Sequence, residues 1–436
     1  MRKFYLLLLF LLLSVLCINA QKVWDGNTIE KWNRGDGTEE NPFLIEKPEH
    51  LAYLSKSVRN GETYAGKYFS LTSDLDMGNK PFIPIGRYNK YTEQKEGTQE
   101  SVTKDESLYF KGTFDGKYKV INNLFINYKT ENVGSIYGQS SSLGGVGLFA
   151  CTTQSTVIRN IIIGKGTLVE TSDNVVGIIA GAMEGGVIEN CINYGHLKAT
   201  NYIGGIVGYI DNGIVKNCSN RGAIDGNWEL GGIVGHLQGS GIVKGCSNIN
   251  NITGTYMNAG GIVGSMFDKS IIAYCYNAAT VKDPNTLSFM GLASGIVSGT
   301  DGSAYKIENC YIVSELSTPD SKAVSVPINE FKDKKFIDKL NNGNPESPFK
   351  YDENNINNGL PIMQYENNTP TSISENILSK ELNYTISGRT ISSKYVVNVY
   401  NSLGTLIASG TSVTLDLPGC YILKFVKGKT LKVILK

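Results

Sequence analysis

The stretch Gly204-Gly205-Ile206-Val207-Gly208 returns as Gly231-Gly232-Ile233-Val234-Gly235 and again as Gly260-Gly261-Ile262-Val263-Gly264. Looser copies flank it: Gly147-Leu148-Phe149-Ala150 and Gly177-Ile178-Ile179-Ala180-Gly181 before, Gly295-Ile296-Val297 after. The last glycines fall at 181, 208, 235 and 264, a period of 27–29 residues. A second phrase keeps phase with the first and ends at Cys191, Cys218, Cys246, Cys275 and Cys310, as in Val187-Ile188-Glu189-Asn190-Cys191. A period of this length defines a repeat architecture. Each unit holds short β-branched runs broken by Gly, Asn and Asp, with no helical periodicity. Short strands at one period, with no helices to cross between them, predict a parallel β-solenoid. Glycine suits tight corners that need a positive φ. Asparagine tolerates that conformation and stacks in hydrogen-bonded ladders, which fits Asn193, Asn220, Asn248 and Asn277, each two residues after a cysteine.

Outward from the repeats, composition supports this reading. Glycine makes up 49 of 436 residues, and 29 of these lie between Gly144 and Gly299. With 41% hydrophobic and 19% charged residues the chain folds rather than staying disordered. The net charge of +1 leaves no bulk charge for nucleic acid, so no nucleic-acid partner is expected. The charge is uneven, however. Residues 378–436 carry +6, the first 20 carry +2, and the body between them is near −7.

Arg2 and Lys3, the apolar run Phe4–Leu16 and Ile18-Asn19-Ala20 read as a secretory signal peptide over residues 1–20. That run is too short to span a bilayer, so no transmembrane segment is expected in the mature chain. Leu16 stands where lipidation of Cys17 would need a small residue. The polar insert Arg87–Ser107 reads as a surface loop.

The Gly-Gly-Ile-Val-Gly and Asn-Cys phrases resemble GLUG-motif proteins, which are secreted and surface proteins of bacteria. The resemblance covers about residues 23–366. Upstream, Gly35-Asp36-Gly37-Thr38 and Asn41-Pro42-Phe43-Leu44-Ile45 are similar to the family's opening segment, and Glu49-His50-Leu51-Ala52-Tyr53-Leu54 to its short helix. Downstream, Phe336–Leu340 and Asn355–Ile362 are similar to its closing segment. Asn398-Val399-Tyr400-Asn401, Leu417-Pro418-Gly419, Tyr421-Ile422-Leu423-Lys424 and the Lys432–Lys436 terminus resemble the sorting domain of the type IX secretion system. That family usually separates the proline from the glycine by one residue; here they are adjacent. The expected fold is therefore all-β, a parallel β-solenoid followed by a small β-sandwich. Its parts are an N-terminal cap with a short helix (21–65), the coil (66–316, clearest at 175–292), a C-terminal cap (317–366), a linker (367–377) and the sorting-like domain (378–436).

Chemistry is sparse by comparison. The five phased cysteines are too far apart for a zinc site and read as a buried thiol ladder of small core residues, with one or two oxidised pairs as the alternative. The three histidines, His50, His196 and His236, form no His-Glu-x-x-His, and the last two read as loop residues. Asp74 and Asp76 with Asn79 lack the rest of a calcium loop. The acids Asp173, Glu184, Glu189, Asp211, Asp225, Glu229, Asp268 and Asp283 are expected to stack little. No catalytic residue, metal or cofactor is expected. Tyr202, Trp228 and Tyr256 precede successive Gly-Gly pairs and form a candidate aromatic strip for a sugar or a protein. These features imply a secreted or outer-surface binding or adhesion protein that reaches its site through the periplasm. Its expected partners are a host or matrix glycan or protein and the type IX secretion machinery. The alternative is a polysaccharide lyase or glycoside hydrolase on the same scaffold, recognisable by carboxylates converging in one groove.

Overall fold

The computed structural model describes residues 23–94, 100–129, 144–282, 293–302, 304–366, 384–387, 390–400, 406–415, 419–425 and 430–435. The expected leader (1–20), Cys17, Asp283 and the linker (367–377) lie outside the described residues. The chain divides into two compact units, Met1–Glu366 and Asn367–Lys436.

The first unit is a parallel β-solenoid. Each full rung contributes strands to four sheets, here faces I to IV. Between Val187 and Asp211 the chain visits face I (Val187–Glu189), face II (Ile192–Asn193), face III (His196–Lys198 and Asn201–Gly204) and face IV (Val207–Asp211). It then re-enters face I at Ile214–Lys216. Faces I and II hold nine strands each, face III ten and face IV six. Pairing between rungs is parallel, with Val187↔Ile214↔Ile242↔Ile271 in register on face I. Apolar residues at matching positions therefore stack into rows, such as Ile188, Val215, Val243 and Ile272, all fully buried. Toward the N-terminal end aromatics fill the coil instead, with Phe69, Phe110, Phe114 and Phe149 packed on one another.

The corners differ from expectation. The repeated glycines do not take positive φ; the residue before each cysteine does, through Asn190, Asn217, Gly245, Tyr274 and Asn309. Gly204, Gly231 and Gly260 are required for another reason. A Cβ there would lie 1.8, 1.8 and 1.9 Å from the carbonyl oxygen of Val207, Val234 and Val263. The asparagines two residues after each cysteine do form a buried ladder. Asn193 Nδ2 donates to Asn220 Oδ1, Asn220 to Asn248 and Asn248 to Asn277, at 2.8, 2.8 and 2.9 Å.

Both ends of the coil are covered. At the start, helix α1 (Pro48–Arg59) buries Leu51, Leu54 and Val58, with Pro48 in its first turn where a missing N–H costs nothing. At the finish, the free amides of the last III–IV corner are taken by a side chain: Asp320 Oδ2 accepts from Ile296 and Val297 at 2.9 and 3.1 Å. Val324–Val326 then completes face II. The remaining chain does not stay at the end. Helices α2 (Ile328–Phe331) and α3 (Lys334–Asn341) and the antiparallel pair Phe349–Lys350/Ile362–Met363 pack along the outside of face II, burying Phe331, Phe336 and Phe349 with Tyr276 and Ile192. The segment ends where Tyr365 stacks on Tyr118 at 5.1 Å and Glu366 forms a buried ion pair with Arg221.

The insert expected to be a surface loop contains an antiparallel hairpin, Lys90–Gln94 with Ser101–Asp105. The second unit is a small antiparallel β domain. Its strands Tyr384–Ser387, Thr390–Tyr400, Leu406–Thr414, Gly419–Phe425 and Thr430–Leu435 belong to one hydrogen-bonded sheet, with Ile391, Val397, Val399, Val413 and Leu423 buried. Among the described residues no helix is long and apolar enough to cross a membrane.

Candidate functional site

The outer surface of face IV gathers polar and aromatic groups more densely than the repeat pattern announces. One outward column runs in register through Cys151, Ala182, Tyr209, His236, Ser265 and Gly299. Its first rungs are roofed by the insert, whose Tyr88 packs with Cys151, Val175 and Ala182, joined by Tyr109. The later rungs are not roofed in this way. There the ring of His236 is stacked between Tyr209 and Phe267, with centroids 5.3 and 4.9 Å away, and Tyr202 meets it edge-on at 5.2 Å. Both imidazole nitrogens are engaged: Nδ1 with Glu229 Oε2 at 2.5 Å, Nε2 with Gln238 Oε1 at 3.1 Å. Gln238 in turn donates to the Tyr209 hydroxyl at 2.7 Å.

A second column carries charge. Asp211 pairs in register with Gln238, and Glu184 follows Met183, the partner of Ile210, so Glu184 sits one rung from Asp211. Glu184 accepts from the Tyr88 hydroxyl at 2.5 Å and pairs with Lys90 at 2.7 Å. Burial and then the neighbouring charge of Glu184 push the Asp211 carboxyl above its ordinary value, against the opposing pull of Lys90. Burial likewise raises the Tyr88 and Tyr209 phenols, which stay neutral, Tyr88 donating to Glu184 and Tyr209 accepting from Gln238. The expectation of little stacking among the acids thus fails for this pair. The signal lay in the sequence, since the two are 27 residues apart, one period.

The three aromatics expected to form a strip do not form one row. Trp228, 40% exposed on face III, stands in register with Asn201 and Met257. The residue beside it, Glu229, is the one level with Tyr202 and Asn258, and all three take left-handed φ values of 42–51°. Spacings of 26 and 28 residues are each one short of the local rung, and a one-residue slip moves a side chain to the other side of a strand. Tyr256 lies on the strand Ile252–Gly260, but its side chain is outside the described residues.

His196 and His236 are strand residues rather than loop residues, in His196–Lys198 and Val234–Gln238, and His196 Nε2 meets Asp225 Oδ2 at 2.7 Å. Asp74 and Asp76 accept hydrogen bonds from Val120 N, Gly78 N and Asn123 Nδ2. Cys191, Cys218, Cys246, Cys275 and Cys310 line the inside of the I–II corner as buried free thiols. Each donates to the carbonyl two residues back at 3.2–3.4 Å. The amides of Cys218 and Cys246 donate to the sulfur of the next rung at 3.5 and 3.4 Å. Burial pushes the Cys218 and Cys275 thiols well up, so they remain protonated. The equivalent place one rung earlier holds Ile161, also fully buried, which makes the thiols apolar filler. Among the described residues no three His, Cys, Asp or Glu side chains are grouped to hold a metal ion.

These features define a class, the glycine-cornered parallel β-solenoid, and comparison with known proteins agrees with it. Residues 199–225 match the GLUG motif. A protein of Evansella cellulosilytica named "Putative Gly-rich membrane protein" is 30% identical over 165 residues, or 36% of this chain. The matched part spans only 15% of that relative. The crystal structure of a "putative immunoglobulin A1 protease from Bacteroides ovatus" superposes with a TM-score of 0.54 at 18% identity, over 77% of this chain and 95% of that one. At this identity the likeness concerns the fold alone.

Proposed function

We propose that this chain is a secreted or surface-displayed bacterial binding protein of the adhesion type, without catalysis, and that face IV presents its ligand surface to a host or matrix glycan or protein. The observation that carries this reading is the closed hydrogen bonding of the face. Both nitrogens of His236 and both oxygens of Glu184 are engaged within the protein, which favours a pre-organised recognition surface over a free nucleophile or base. Trp228, exposed on the adjoining face, supplies a further contact. A glycan array probed with the mature chain tests it. Binding that drops in His236→Ala and Trp228→Ala, with melting unchanged for Trp228→Ala, is expected; undiminished binding in both variants would remove face IV from the reading.

In the same reading the C-terminal β domain directs export through type IX machinery, on its resemblance at Tyr421–Lys424 and Lys432–Lys436. Deleting residues 378–436 is then expected to strand the protein in the periplasm, and normal release would end that part. One observation favours a carbohydrate-active enzyme instead: Glu184 and Asp211 stand one rung apart, about 4.8 Å along the coil, and Asp211 holds its proton more tightly than usual. Reducing-sugar release from a polysaccharide, abolished in Asp211→Asn, would establish it.

A further inference from the structure

The N-terminal end of the coil holds a cavity of about 680 Å³ that the face IV reading does not use. Its walls are aromatic, from Trp32, Phe43, Tyr53 and Tyr64, and its rim carries Lys31 and Lys56. Trp32 is only 5% exposed, with Phe43, Tyr53 and Phe69 packed around it at centroid distances of 5.2, 5.3 and 5.1 Å. Its indole Nε1 is buried and has no hydrogen-bond partner among the described residues. Buried indole N–H groups are normally satisfied, and Trp24 in the same cap shows the ordinary outcome by donating to Thr28 O at 2.9 Å. A buried unmet donor in a residue that lines a cavity can take an acceptor that arrives from outside once the rings over it shift.

The electrostatics indicate what arrives. Lys31 and Lys56 form no ion pair among the described residues. The carboxylate of Glu62 also lines the cavity and accepts from the Tyr64 amide at 3.2 Å, so the lining sets two cations against one anion. Tyr64 donates its hydroxyl to Ser57, which donates to Leu54 O, so this wall is internally complete. What remains is a spare indole donor and two unpaired ammonium groups beside ring surfaces. We propose that this cavity is a binding subsite for an acidic sugar. Its C–H face would rest on the aromatic wall, a ring or hydroxyl oxygen would accept from Trp32 Nε1, and its carboxylate would lie between Lys31 and Lys56.

The inference does not rest on face IV and is tested separately from it. Tetragalacturonate and neutral cellotetraose are titrated calorimetrically into the mature chain, its Lys31→Gln/Lys56→Gln double variant and Trp32→Phe. The expected result is binding of the uronate but not the neutral oligosaccharide, weakened at least about tenfold in the double variant. Trp32→Phe, which removes the donor together with part of the buried ring, is expected to weaken it about three- to tenfold and to lower the melting temperature as well, so the double variant carries the decision. Thermal melting of the double variant, whose changes are on exposed side chains, is expected to match the parent. Equal binding of both oligosaccharides, undiminished uronate binding in the double variant, or no binding of the uronate would each overturn the proposal.

Discussion

At the corner between faces I and II the chain turns through a left-handed residue before each phased cysteine, whereas at the corner between faces III and IV the repeated glycines turn without a positive φ of their own. The first corner needs a particular dihedral, so Asn190, Asn217, Gly245 and Asn309 share it, these being residues that tolerate αL. The second needs space. The carbonyl of Val234 closes to within 1.8 Å of where a Gly231 Cβ would be, and the same holds at Gly204 and Gly260. Small or polar residues at both corners therefore answer different demands. A dihedral can be met by several side chains, but the space next to a backbone carbonyl can be met only by having none.

The largest effect should follow from breaking the second corner. In Gly231→Ala the obstructing atoms are backbone, Val234 O at 1.8 Å and Gly264 N at 2.8 Å, so no rotamer change relieves them. A loss of about 4 kcal/mol or more is expected, enough to unfold the middle rungs, read as a lowered urea midpoint. In the last described rung Ser294 stands level with Gly260 and its hydroxyl bonds Asp320 at 2.7 Å, so the corner there is open enough to take a Cβ. Ser294→Gly should thus cost only that hydrogen bond, about 1–2 kcal/mol. Similar costs in the two variants would show that space is not what distinguishes this corner.

The asparagine ladder beside the first corner should break next. Asn220 donates to Asn248 and Gly222 O and accepts from Asn193 and Gly222 N. Leucine at 220 leaves those buried groups without partners, and about 2–4 kcal/mol should be lost. Hydrogen exchange should then rise first at Gly222 and Asn193. Exchange that rises uniformly along the coil would mean the ladder is no more local than the core.

A smaller effect, dependent on pH, comes from the outer side of the same corner. Burial opposes ionisation of Asp115, yet hydrogen bonds from Asn160 and Lys117, with the Lys117 charge, hold its carboxyl below the usual range. A depressed folded-state value adds stability that is present above about pH 4 and is lost as pH falls through the folded value. Asp115→Asn should lower stability by about 1 kcal/mol at pH 7, with the gap closing in acid. Parallel acid denaturation of parent and variant would exclude Asp115 as a contributor.

How much of this could be read beforehand follows the same division. The period, the parallel coil, the thiol row and the Asn193–Asn277 ladder are legible because successive central rungs repeat them. Which corner needs the positive φ is not, because both a dihedral and a steric demand select small residues. The polar insert reads as a loop since its hairpin has little apolar alternation to declare it. Face IV is legible only in part. Glu184 and Asp211 keep the period, but their neighbours in the column change chemistry at each rung, and Tyr88 and Lys90 reach them from more than 90 residues away. The N-terminal cavity has no period at all, being assembled once from residues 31–64.

The finest test of the comparison is Tyr274, the bulky side chain among the left-handed residues that precede the phased cysteines, at φ 55°. Asparagine there should relieve roughly 1 kcal/mol of backbone strain. The tyrosine, however, donates its hydroxyl to Gly343 O at 3.1 Å and has Lys244 above its ring at 5.6 Å, so it ties the corner to the segment lying along face II. Those exposed contacts are worth about as much as the strain. Tyr274→Asn should therefore change global stability by less than about 1 kcal/mol while speeding proteolysis near Gly343. Tyr274→Phe, which keeps the strain and loses the hydrogen bond, should be the less stable of the two. If Tyr274→Asn is instead strongly destabilising, the dihedral does not govern this corner, and the side chain's outward contacts set its residue choice.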